Sequence, residues 1–316
     1  MKIIRFFITI FVLSSLILIL TNSAVCADWP EKTITIITGD VAGTRDYGAR
    51  IWAEYMQKEW DVNVVVQNIS GNIVSLRSFM KADDIYTLYY NNIGVIIDEV
   101  LGTSEINVLD DTTLLGIANS HLGSVIGVRS DLGVNNLKEL FELSESRPDE
   151  LTITDAYGTN TNVVVSMLRD LGLKVTPVDV GSSPDRLVAL LGGHIDIDIT
   201  PYNYLKPYDE SGEVKVLAVT MPERQKAFPH VPTTVEQGYD VTLFVSFFFL
   251  GPKDAPQEMI DKINALFEKV NADPAYAERI FKGQTWEPFY MPSKEAEDFL
   301  REQRERLISL GLTDTD

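Results

Sequence analysis

The chain has 316 residues, of which 45% are hydrophobic and 23% are charged, and its formal net charge is −19. This composition is typical of a globular protein with a large core, and the length predicts two domains. The acidic charge argues against a nucleic acid partner, because phosphate contacts depend on lysine and arginine, and an anionic ligand would need a local site that overrides it.

The first 27 residues have the layout of a secretory signal peptide. Basic residues at the start precede an apolar run over 6–20, and small residues follow it up to Ala27. The apolar run is short for a membrane-spanning helix. We therefore predict cleavage before Asp28 and export of the mature chain to the periplasm. Cys26 leaves a lipid-modified N-terminus as the alternative.

The next stretch predicts a strand, a tight loop and a helix. Residues 33–38 alternate β-branched side chains in the manner of a buried strand, and Gly39 and Gly43 lie in the turn. Large apolar residues then recur on one helical face as far as Trp60. Such a loop points free backbone N–H groups at one place, and the helix dipole adds partial positive charge there, so the place suits a carboxylate. An ordinary βα turn is the alternative interpretation.

The hydrophobic periodicity of the remaining chain predicts alternating strands and helices. The predicted strands after the first lie at 62–67, 86–90, 113–119, 124–128, 151–154, 175–180, 194–200, 215–220, 241–250 and 286–291. The predicted helices lie at 73–81, 95–101, 136–144, 163–171, 184–191, 256–272, 274–282 and 293–310. The βαβαβ order at the start is typical of an open α/β sheet, in which ligands bind outside the carboxyl ends of the strands.

A second strand, polar loop and helix follow one another after residue 150. The loop at 155–162 contains Thr159, Asn160 and Thr161, whose side chains can cap the helix that follows. The same hydroxyl and amide groups can also contact a ligand. Capping alone and ligand binding therefore both stay open for this loop.

Two acidic residues, Asp196 and Asp198, occupy the face of the strand predicted at 194–200 that lies opposite its isoleucines. Two carboxylates at this spacing could form an acid/base pair or half of a metal site. The surrounding sequence does not strengthen the metal interpretation, and we predict that the two residues form the solvated face or the end of a strand.

The motifs of several common enzyme classes are absent from the sequence. It contains no P-loop, no G-x-S-x-G elbow and no zinc-type spacing of cysteine and histidine. The three histidines, His121, His194 and His230, are scattered along the chain. We therefore predict a protein without catalytic residues, bound metal or cofactor.

Several short segments occur in the order in which one known family has them. They are 29–37 (WPEKTITII), 42–46 (AGTRD) with 49–50 (AR), 64–68 (VVVQN), 71–73 (GNI), 86–88 (YTL), 181–184 (GSSP), 190–196 (LLGGHID), 217–220 (LAVT) with Arg224, and 231–233 (VPT) with Glu236 and Gly238. Through these segments the chain resembles the extracytoplasmic substrate-binding proteins of tripartite tricarboxylate transporters, also known as Bug-type receptors. No single motif is decisive, but their shared order is specific and extends over nearly all of the mature chain.

This resemblance implies an α/β protein with two lobes, similar to the type II periplasmic binding proteins. Each lobe would be a mixed, mostly parallel sheet flanked by helices, and the ligand cleft would lie between the lobes. The expected division places residues 28–120 and 221–316 in lobe I and residues 121–220 in lobe II, with the first crossing near 121–124.

The resemblance also implies a small organic anion as the ligand, such as a di- or tricarboxylate, an acidic amino acid or an aromatic acid. One carboxylate would be held largely by backbone amides and ordered water from two loops, which on this chain are 42–46 and 157–161. The expected ligand-binding residues are Ala42, Gly43, Thr44, Arg45, Asp46, Tyr157, Gly158, Thr159, Asn160 and Thr161, with Asn91, Ser182 and Thr200 as pocket walls.

Two residues of the first loop carry separate expectations. Arg45 stands where the family usually has glycine, and its fork of N–H groups either pairs with a ligand carboxylate or points to solvent. Asp46 is expected to brace the loop, because a carboxylate that faced the ligand carboxylate would repel it.

The function implied is that of a periplasmic binding protein, expected to be a monomer, that captures an organic carboxylate and delivers it to the membrane subunits of a tripartite transporter. Closure of the two lobes on the ligand would be a hinge movement. The same fold could instead pass its bound state to a membrane sensor kinase. A secreted esterase-type hydrolase is the alternative from the enzyme class.

Overall fold

The computed structural model describes residues 29–121, 123–156, 158–284 and 286–311. The predicted signal peptide with its cleavage site, the alternative at Cys26 and the predicted site residue Tyr157 lie outside the described residues. Within the described ranges, no helix is both long enough and apolar enough to cross a membrane.

The strands follow the hydrophobic pattern of the sequence. In chain order they are β1 (Ile34–Thr38), β2 (Val64–Asn68), β3 (Thr87–Asn92), β4 (Thr113–Ser120), β5 (Ser124–Arg129), β6 (Thr152–Thr154), β7 (Thr176–Val178), β8 (Ile197–Pro201), β9 (Val214–Val219), β10 (Ser246–Gly251) and β11 (Met291–Pro292). The first nine overlap the predicted strands closely, whereas β10 and β11 begin later than predicted.

The helices include every one that the periodicity predicts. They are α1 (Thr44–Trp60), α2 (Asn72–Ala82), α3 (Gly94–Val100), α4 (Val108–Asp111), α5 (Leu137–Ser146), α6 (Asn160–Asp170), α7 (Ser183–Leu191), α8 (Tyr202–Ser211), α9 (Gln257–Asn271), α10 (Pro274–Gln284) and α11 (Ser293–Ser309). The sequence does not predict α4 or α8. Pro207 lies inside α8 and removes a helical N–H group, which weakens the helical signal there.

The first sheet contains strands from both ends of the described chain, in the order β11-β4-β10-β3-β1-β2. β1 pairs in parallel with β2 and β3, whereas β10 pairs antiparallel with β3 and β4, and β11 pairs antiparallel with β4. The carboxyl ends of β1, β2 and β3 therefore lie at one edge, where the loops into α1, α2 and α3 begin.

The second sheet is built from the central part of the chain, in the order β7-β6-β8-β5-β9. β6 pairs in parallel with β7 and β8, whereas β5 pairs antiparallel with β8 and β9. The carboxyl ends of β6, β7 and β8 also lie at one edge, and they lead into α6, α7 and α8.

Both sheets are mixed, as the resemblance implies. They contain more antiparallel pairs of strands than the expected mostly parallel sheets would. The path of the chain explains the difference. β5 carries the chain from the first sheet into the second, and β10 carries it back. Each of these strands runs away from the edge where the parallel strands end, and it therefore pairs antiparallel with both of its neighbours.

Aromatic rings in the core fix α1 against the first sheet. Trp52 of α1 is buried and packs against Phe267, with the ring centroids 4.7 Å apart. Its indole N–H donates to Oδ1 of Asn119 at 3.2 Å, and the Tyr90 hydroxyl donates to the same oxygen at 2.7 Å. Because α1 cannot shift without breaking these contacts, the core sets the position of the loop that precedes it.

Two strongly apolar segments are shorter strands than their composition predicts. Val241 and Val245 are buried ahead of β10 without belonging to it. Trp286 lies ahead of β11 and is buried with its ring 4.9 Å from that of Phe247. These segments are apolar because they fill the core, and an apolar run does not reveal whether its backbone pairs in a sheet.

Candidate functional site

Asp46, in the first turn of α1, holds the loop between β1 and α1 in shape. Its Oδ2 accepts the Ala42 N–H at 2.9 Å, and its Oδ1 accepts Nδ2 of Asn68 at 2.9 Å and lies 2.9 Å from Nε of Arg50. Burial acts to raise the pKa of this carboxyl, but the hydrogen bonds from Arg50, Asn68 and Ala42 together lower it. Asp46 therefore braces the loop.

The backbone of this loop leaves N–H groups without side-chain caps. Gly43 is the N-cap residue of α1 and has no side chain with which to cap the helix. Ala42 has a φ of 61°, a strained conformation for a non-glycine residue that its hydrogen bond to Asp46 helps to hold. The N–H groups of the first turn of α1 are therefore available to a bound group.

Arg45 lies back across the same loop. Its Nη1 donates to Oδ1 of Asn91 at 3.1 Å and to Oδ1 of Asn72, and its Nη2 lies 3.5 Å from Oδ2 of Asp40. The guanidinium rests on Gly39, where a Cβ atom would overlap it. Only 19% of the side-chain surface is exposed, so Arg45 does not point freely into solvent.

The loop between β6 and α6 presents a second uncapped helix start. Thr159 is the N-cap residue of α6, but its hydroxyl donates to the carbonyl of Ala156 at 2.6 Å and makes no capping hydrogen bond. The buried Oδ1 atom of Asn160 has no hydrogen-bond partner among the described residues. Capping alone therefore does not explain these polar side chains.

The two loops face each other across a cavity of about 690 Å³. It is lined by elements of both sheets: residues 40–45, Asn72, Asn92 and Gly94 from the first, and Ala156, Thr159, Asn160, Asp179, residues 181–184, Arg186 and Tyr204 from the second. A deeper cavity of about 140 Å³ shares Thr44, Asn92, Thr159, Asn160, Ser183 and Arg186 with the first and extends to His121, Ser124 and Phe247. The larger volume is suited to a small organic molecule.

In the described part of the chain, five helices begin at this cavity. The first residues of α1, α2, α3, α6 and α7, which line it, are Thr44, Asn72, Gly94, Asn160 and Ser183. A helix N-terminus carries partial positive charge, which favours a bound anion. A capping box of Ser182 and Asp185 satisfies the start of α7. The Gly94 N–H of α3 donates to Oδ1 of Asn92 at 2.9 Å, so the uncapped N–H groups come from α1, α2 and α6.

The charged side chains of the cavity place positive charge inside and negative charge at the mouth. Arg186 is 8% exposed, and Arg45 is largely buried. Asp40 and Asp179 also line the cavity, but both are exposed to solvent, which screens their charge. The cavity is therefore locally suited to an anion although the whole chain is strongly acidic.

Asp198 pairs with Arg186 behind the cavity wall. It is fully buried on β8, with Oδ1 3.3 Å from Nε of Arg186. Burial raises the pKa of Asp198 to about 6, although the charge of Arg186 opposes the shift. The prediction of a solvated strand face is wrong for Asp198, because α7 covers this face of β8. Asp196, which precedes the strand, instead accepts the Thr152 N–H at 2.9 Å.

The predicted site residues fall into three groups. Those that line the main cavity are Ala42, Gly43, Thr44, Arg45, Thr159, Asn160 and Ser182, and Thr161 lines the deeper cavity. Those that lie behind the walls are Asp46, Asn91, Gly158 and Thr200. Tyr157 lies outside the described residues.

The residues behind the walls have identifiable surroundings. Asn91 is buried and accepts a hydrogen bond from Arg45, whereas Asn92 lines the cavity, because consecutive side chains of a strand point to opposite faces. Thr200 is fully buried on β8. Gly158 has a φ of 74° and lies against Oδ1 of Asp98.

Among the cavity-lining residues that the sequence does not predict are five polar or charged ones: Asn72, Asn92, His121, Arg186 and Tyr204. Asn92 ends β3, and Asn72 begins the helix that follows β2, so the general position of ligands in α/β sheets points to both. Arg186 shares a helical face with the buried Ala189 and Leu190, and an arginine on an apolar face is itself a signal. No sequence signal distinguishes His121 or Tyr204.

Two α/β lobes that enclose a cavity lined by helix N-termini define the fold as that of a periplasmic solute-binding protein. The family model of the tripartite tricarboxylate transporter family receptor, TctC, matches residues 49–310. The chain belongs to this family, and the similar proteins are binding proteins rather than enzymes.

Relatives and solved structures agree with this assignment. BugT of Bordetella pertussis is 24% identical over 288 residues, which cover 88% of this chain and 88% of that protein. MatC from Rhodopseudomonas palustris, solved with bound malate, is 20% identical with a TM-score of 0.77 and covers 89% of this chain and 99% of its own. Rpa4515 of the same species, solved with adipate, is 22% identical with a TM-score of 0.76 and covers 89% of this chain and 95% of its own. The family indicated by the short sequence motifs and the predicted fold class are both confirmed.

Proposed function

We propose that this protein binds a small organic carboxylate in the cavity between its lobes and delivers it to the membrane subunits of a tripartite transporter. The observation that carries the proposal is the convergence of five helix N-termini, within the described residues, on one cavity of about 690 Å³. Family membership supports the role of a solute receptor, and two proteins of the same fold were solved with malate and with adipate.

A carboxylate suits this cavity better than a neutral solute of the same size. Thr44 and Asn160 begin helices in opposite lobes, and their backbone N–H groups can donate to the same carboxylate. Each hydrogen bond to a charged group contributes about 1.5–3 kcal/mol, and each partly buried helix terminus adds up to about 2 kcal/mol. Micromolar affinity corresponds to about −8 kcal/mol after the loss of translational and rotational freedom is covered, so we expect several such contacts from both lobes.

The proposed lobes follow the two passages of the chain between the sheets. Residues 28–120 and 221–316 would form lobe I, and residues 121–220 would form lobe II. Oδ1 of Asp98, in lobe I, lies against Gly158, in lobe II, a contact that opening of the cleft would break. A ligand that contacts both lobes would stabilise the closed arrangement.

The proposed place of action is the periplasm. The basic, apolar and small-residue segments of the first 27 residues support export with cleavage before Asp28. The partners would be the small anion itself and the membrane subunits of the transporter, and the receptor would act as a monomer without a cofactor.

The ligand class is tested by a thermal-shift screen of the mature chain, residues 28–316. Mono-, di- and tricarboxylates, acidic amino acids and aromatic acids are each compared with the corresponding neutral amide. A ligand present at 100 times its Kd stabilises the folded state by about 2.7 kcal/mol, which raises the Tm by several degrees. We expect a shift with a carboxylate and none with its amide. If no carboxylate raises the Tm, the proposal is wrong.

The transporter role is tested by uptake of the best labelled ligand into cells with and without the gene for this protein. Loss of uptake in the deletion strain, restored by the full-length gene, supports transport. Normal uptake combined with loss of a transcriptional response to the ligand would instead support the sensor-kinase alternative.

A further inference from the structure

We infer that Arg186 recognises a second anionic group on the ligand, so that the cleft selects dicarboxylates over monocarboxylates of the same length. This inference rests on the proposed function and adds the residue that sets its specificity. Arg186 lines both the main cavity and the deeper one, and it belongs to the lobe opposite the loop that contains Arg45.

The side chain of Arg186 folds back toward the start of α7. Its Nη1 donates to the carbonyl of Gly181 at 3.2 Å, and its Nη2 donates to Oγ of Ser183 at 2.8 Å. Side chains on helices generally point toward the N-terminus, which brings the guanidinium beside the first turn of α7. The full charge of the guanidinium and the partial charge of the helix terminus therefore act on the same space.

Arg186 has donors left for a ligand. A guanidinium carries five N–H groups, and only the two hydrogen bonds to Gly181 and Ser183 are formed within the described ranges. The buried Nε faces Asp198, so the N–H groups left for a ligand are one on Nη1 and one on Nη2. Arg45 differs, since its Nη1 already donates to two asparagine side chains and its Nη2 faces Asp40. Arg186 therefore keeps one N–H group on each Nη atom, the pair that a ligand carboxylate can bind in a bidentate way, whereas Nη1 of Arg45 has none left.

Asp198 contacts Arg186 on the side away from the cavity but leaves part of its hydrogen-bonding capacity unused. The carboxylate is fully buried, and its Oδ1 lies 3.3 Å from Nε, but neither of its oxygens has a well-formed hydrogen bond in the part of the chain that the structure describes. A buried guanidinium is stabilised when planar, bidentate bonds to a carboxylate complete its partners. A ligand carboxylate on the cavity side can supply them, which makes Asp198 a positioning residue.

The other charged groups around this part of the cavity do not replace such a ligand. Asp179 is exposed at the mouth, and its Oδ1 accepts the Gly181 N–H at 3.0 Å. Asp185, on the same helix, accepts the Ser182 N–H at 3.1 Å and is exposed. His121 is buried in the deeper cavity, where burial lowers its pKa to about 4 and keeps it neutral near pH 7.

The test is calorimetric titration of the mature protein with matched pairs of acids: butanoate and succinate, pentanoate and glutarate, hexanoate and adipate. The natural chain should bind at least one dicarboxylate roughly tenfold or more tightly than its monocarboxylate partner. The double variant Arg186→Met/Asp198→Leu replaces the buried pair with apolar side chains, a change that such pairs often tolerate. It should lose most of that preference, while monocarboxylate affinity changes less than about threefold.

Two further variants separate recognition from folding. Arg129→Met removes an arginine of the same lobe that lines neither cavity and should keep the preference of the natural chain. Asp198→Asn keeps Arg186 but loosens its position, and it should reduce the preference for the dicarboxylate without a matching loss for the monocarboxylate. A purely structural role of the pair would lower the Tm and leave the ratio of the two affinities unchanged.

The possible outcomes distinguish this inference from the function on which it rests. Equal binding of the two acids by the natural chain, or an unchanged preference in the double variant, overturns the role of Arg186 and leaves carboxylate binding standing. Failure of every acid to bind the natural chain, while the folded state is intact, overturns the proposed function as well.

Discussion

Oδ2 of Asp46 accepts the backbone N–H of Ala42 at 2.9 Å, and this hydrogen bond holds the shape of the loop between β1 and α1, which lines the cavity. The same carboxylate also contacts Asn68 and Arg50, so a single buried acid joins the loop, β2 and α1. The shape of the first ligand loop therefore depends on an acidic residue that does not itself line the cavity.

Replacing Asp46 with asparagine should loosen this loop and weaken both folding and ligand binding. An amide cannot accept all three contacts, and loss of a buried charged hydrogen bond costs about 1–3 kcal/mol. Urea unfolding at pH 7 measures this cost, and titration with the best carboxylate measures the binding. Because the pKa of Asp46 is lowered, its contribution is complete above its ordinary pKa and is lost as the pH falls through its folded-state pKa.

The exposed Asp170 of α6 provides the control for that change, because Asp170→Asn alters the same charge on the surface. It should leave stability within about 0.5 kcal/mol of the natural chain. Equal stability of the Asp46 and Asp170 variants would contradict the bracing role.

Proline at the first position of α1 or α6 should weaken anion binding without unfolding the helix. Proline is well tolerated at this position, where it removes only the N–H group that a ligand would use. The preceding residues, Gly43 and Thr159, already have the extended ψ values of 171° and 169° that proline requires. Thr44→Pro and Asn160→Pro should each reduce affinity roughly tenfold to a hundredfold in calorimetric titration.

Alanine variants at the same positions separate the backbone N–H from the side chain. Thr44→Ala and Asn160→Ala keep the N–H group and should bind more tightly than the corresponding prolines. Gln257→Pro places proline at the start of α9, away from both cavities, and should leave affinity unchanged. Equal affinities for the alanine and proline variants would argue against ligand binding by these amides.

Gly39→Ala should impair ligand binding far more than stability. A Cβ at this position overlaps the Arg45 guanidinium, which is the flexible end of a side chain and can move aside into the cavity. Gly48→Ala is the matched comparison, because its Cβ overlaps the ring and hydroxyl of Tyr90, which is fully buried. We expect Gly48→Ala to cost about 1–3 kcal/mol in urea unfolding and Gly39→Ala to cost clearly less. The opposite order would contradict this account of the first loop.

His121→Gln should change how stability depends on pH. Burial lowers the pKa of His121 to about 4 from 6.5, and a hydrogen bond with the Gly123 backbone only partly opposes this. The contribution of neutral His121 to the free energy of unfolding is therefore complete above pH 6.5. It is lost as the pH falls toward 4, by up to about 3 kcal/mol. In urea unfolding between pH 4 and 7, the free energy of unfolding should rise more steeply with pH for the natural chain than for His121→Gln.

The variant Asp198→Asn serves as a check, because its effect on the free energy of unfolding should change with pH in the opposite direction. Because the pKa of Asp198 is raised to about 6, its contribution is complete below its ordinary pKa and is lost as the pH rises through 6. The stability of the natural chain relative to this variant should therefore fall over the same interval in which its stability relative to His121→Gln rises. If the free energies of unfolding of the two variants changed with pH in the same way, the shifted pKa of His121 or of Asp198 would be contradicted.

The sequence alone was sufficient for most of the elements and for the family. Short apolar and β-branched runs located β1 to β9, helical periodicity located the long helices, and the order of short motifs indicated a two-lobed receptor. These features are local, because each depends on residues a few positions apart. Where the local signal is weak the prediction fails, as it does at α8 with its internal Pro207.

Only the tertiary structure decided which residues line the cleft. Asn91 and Asn92 are adjacent in β3, yet one bonds to Arg45 behind the wall and the other lines the cavity. Asp198 belongs to an alternating strand whose acidic face is covered by α7, which brings it to Arg186. Periodicity reveals that a strand or helix has two faces, but the face that meets the ligand is set by elements distant in the chain that pack against it.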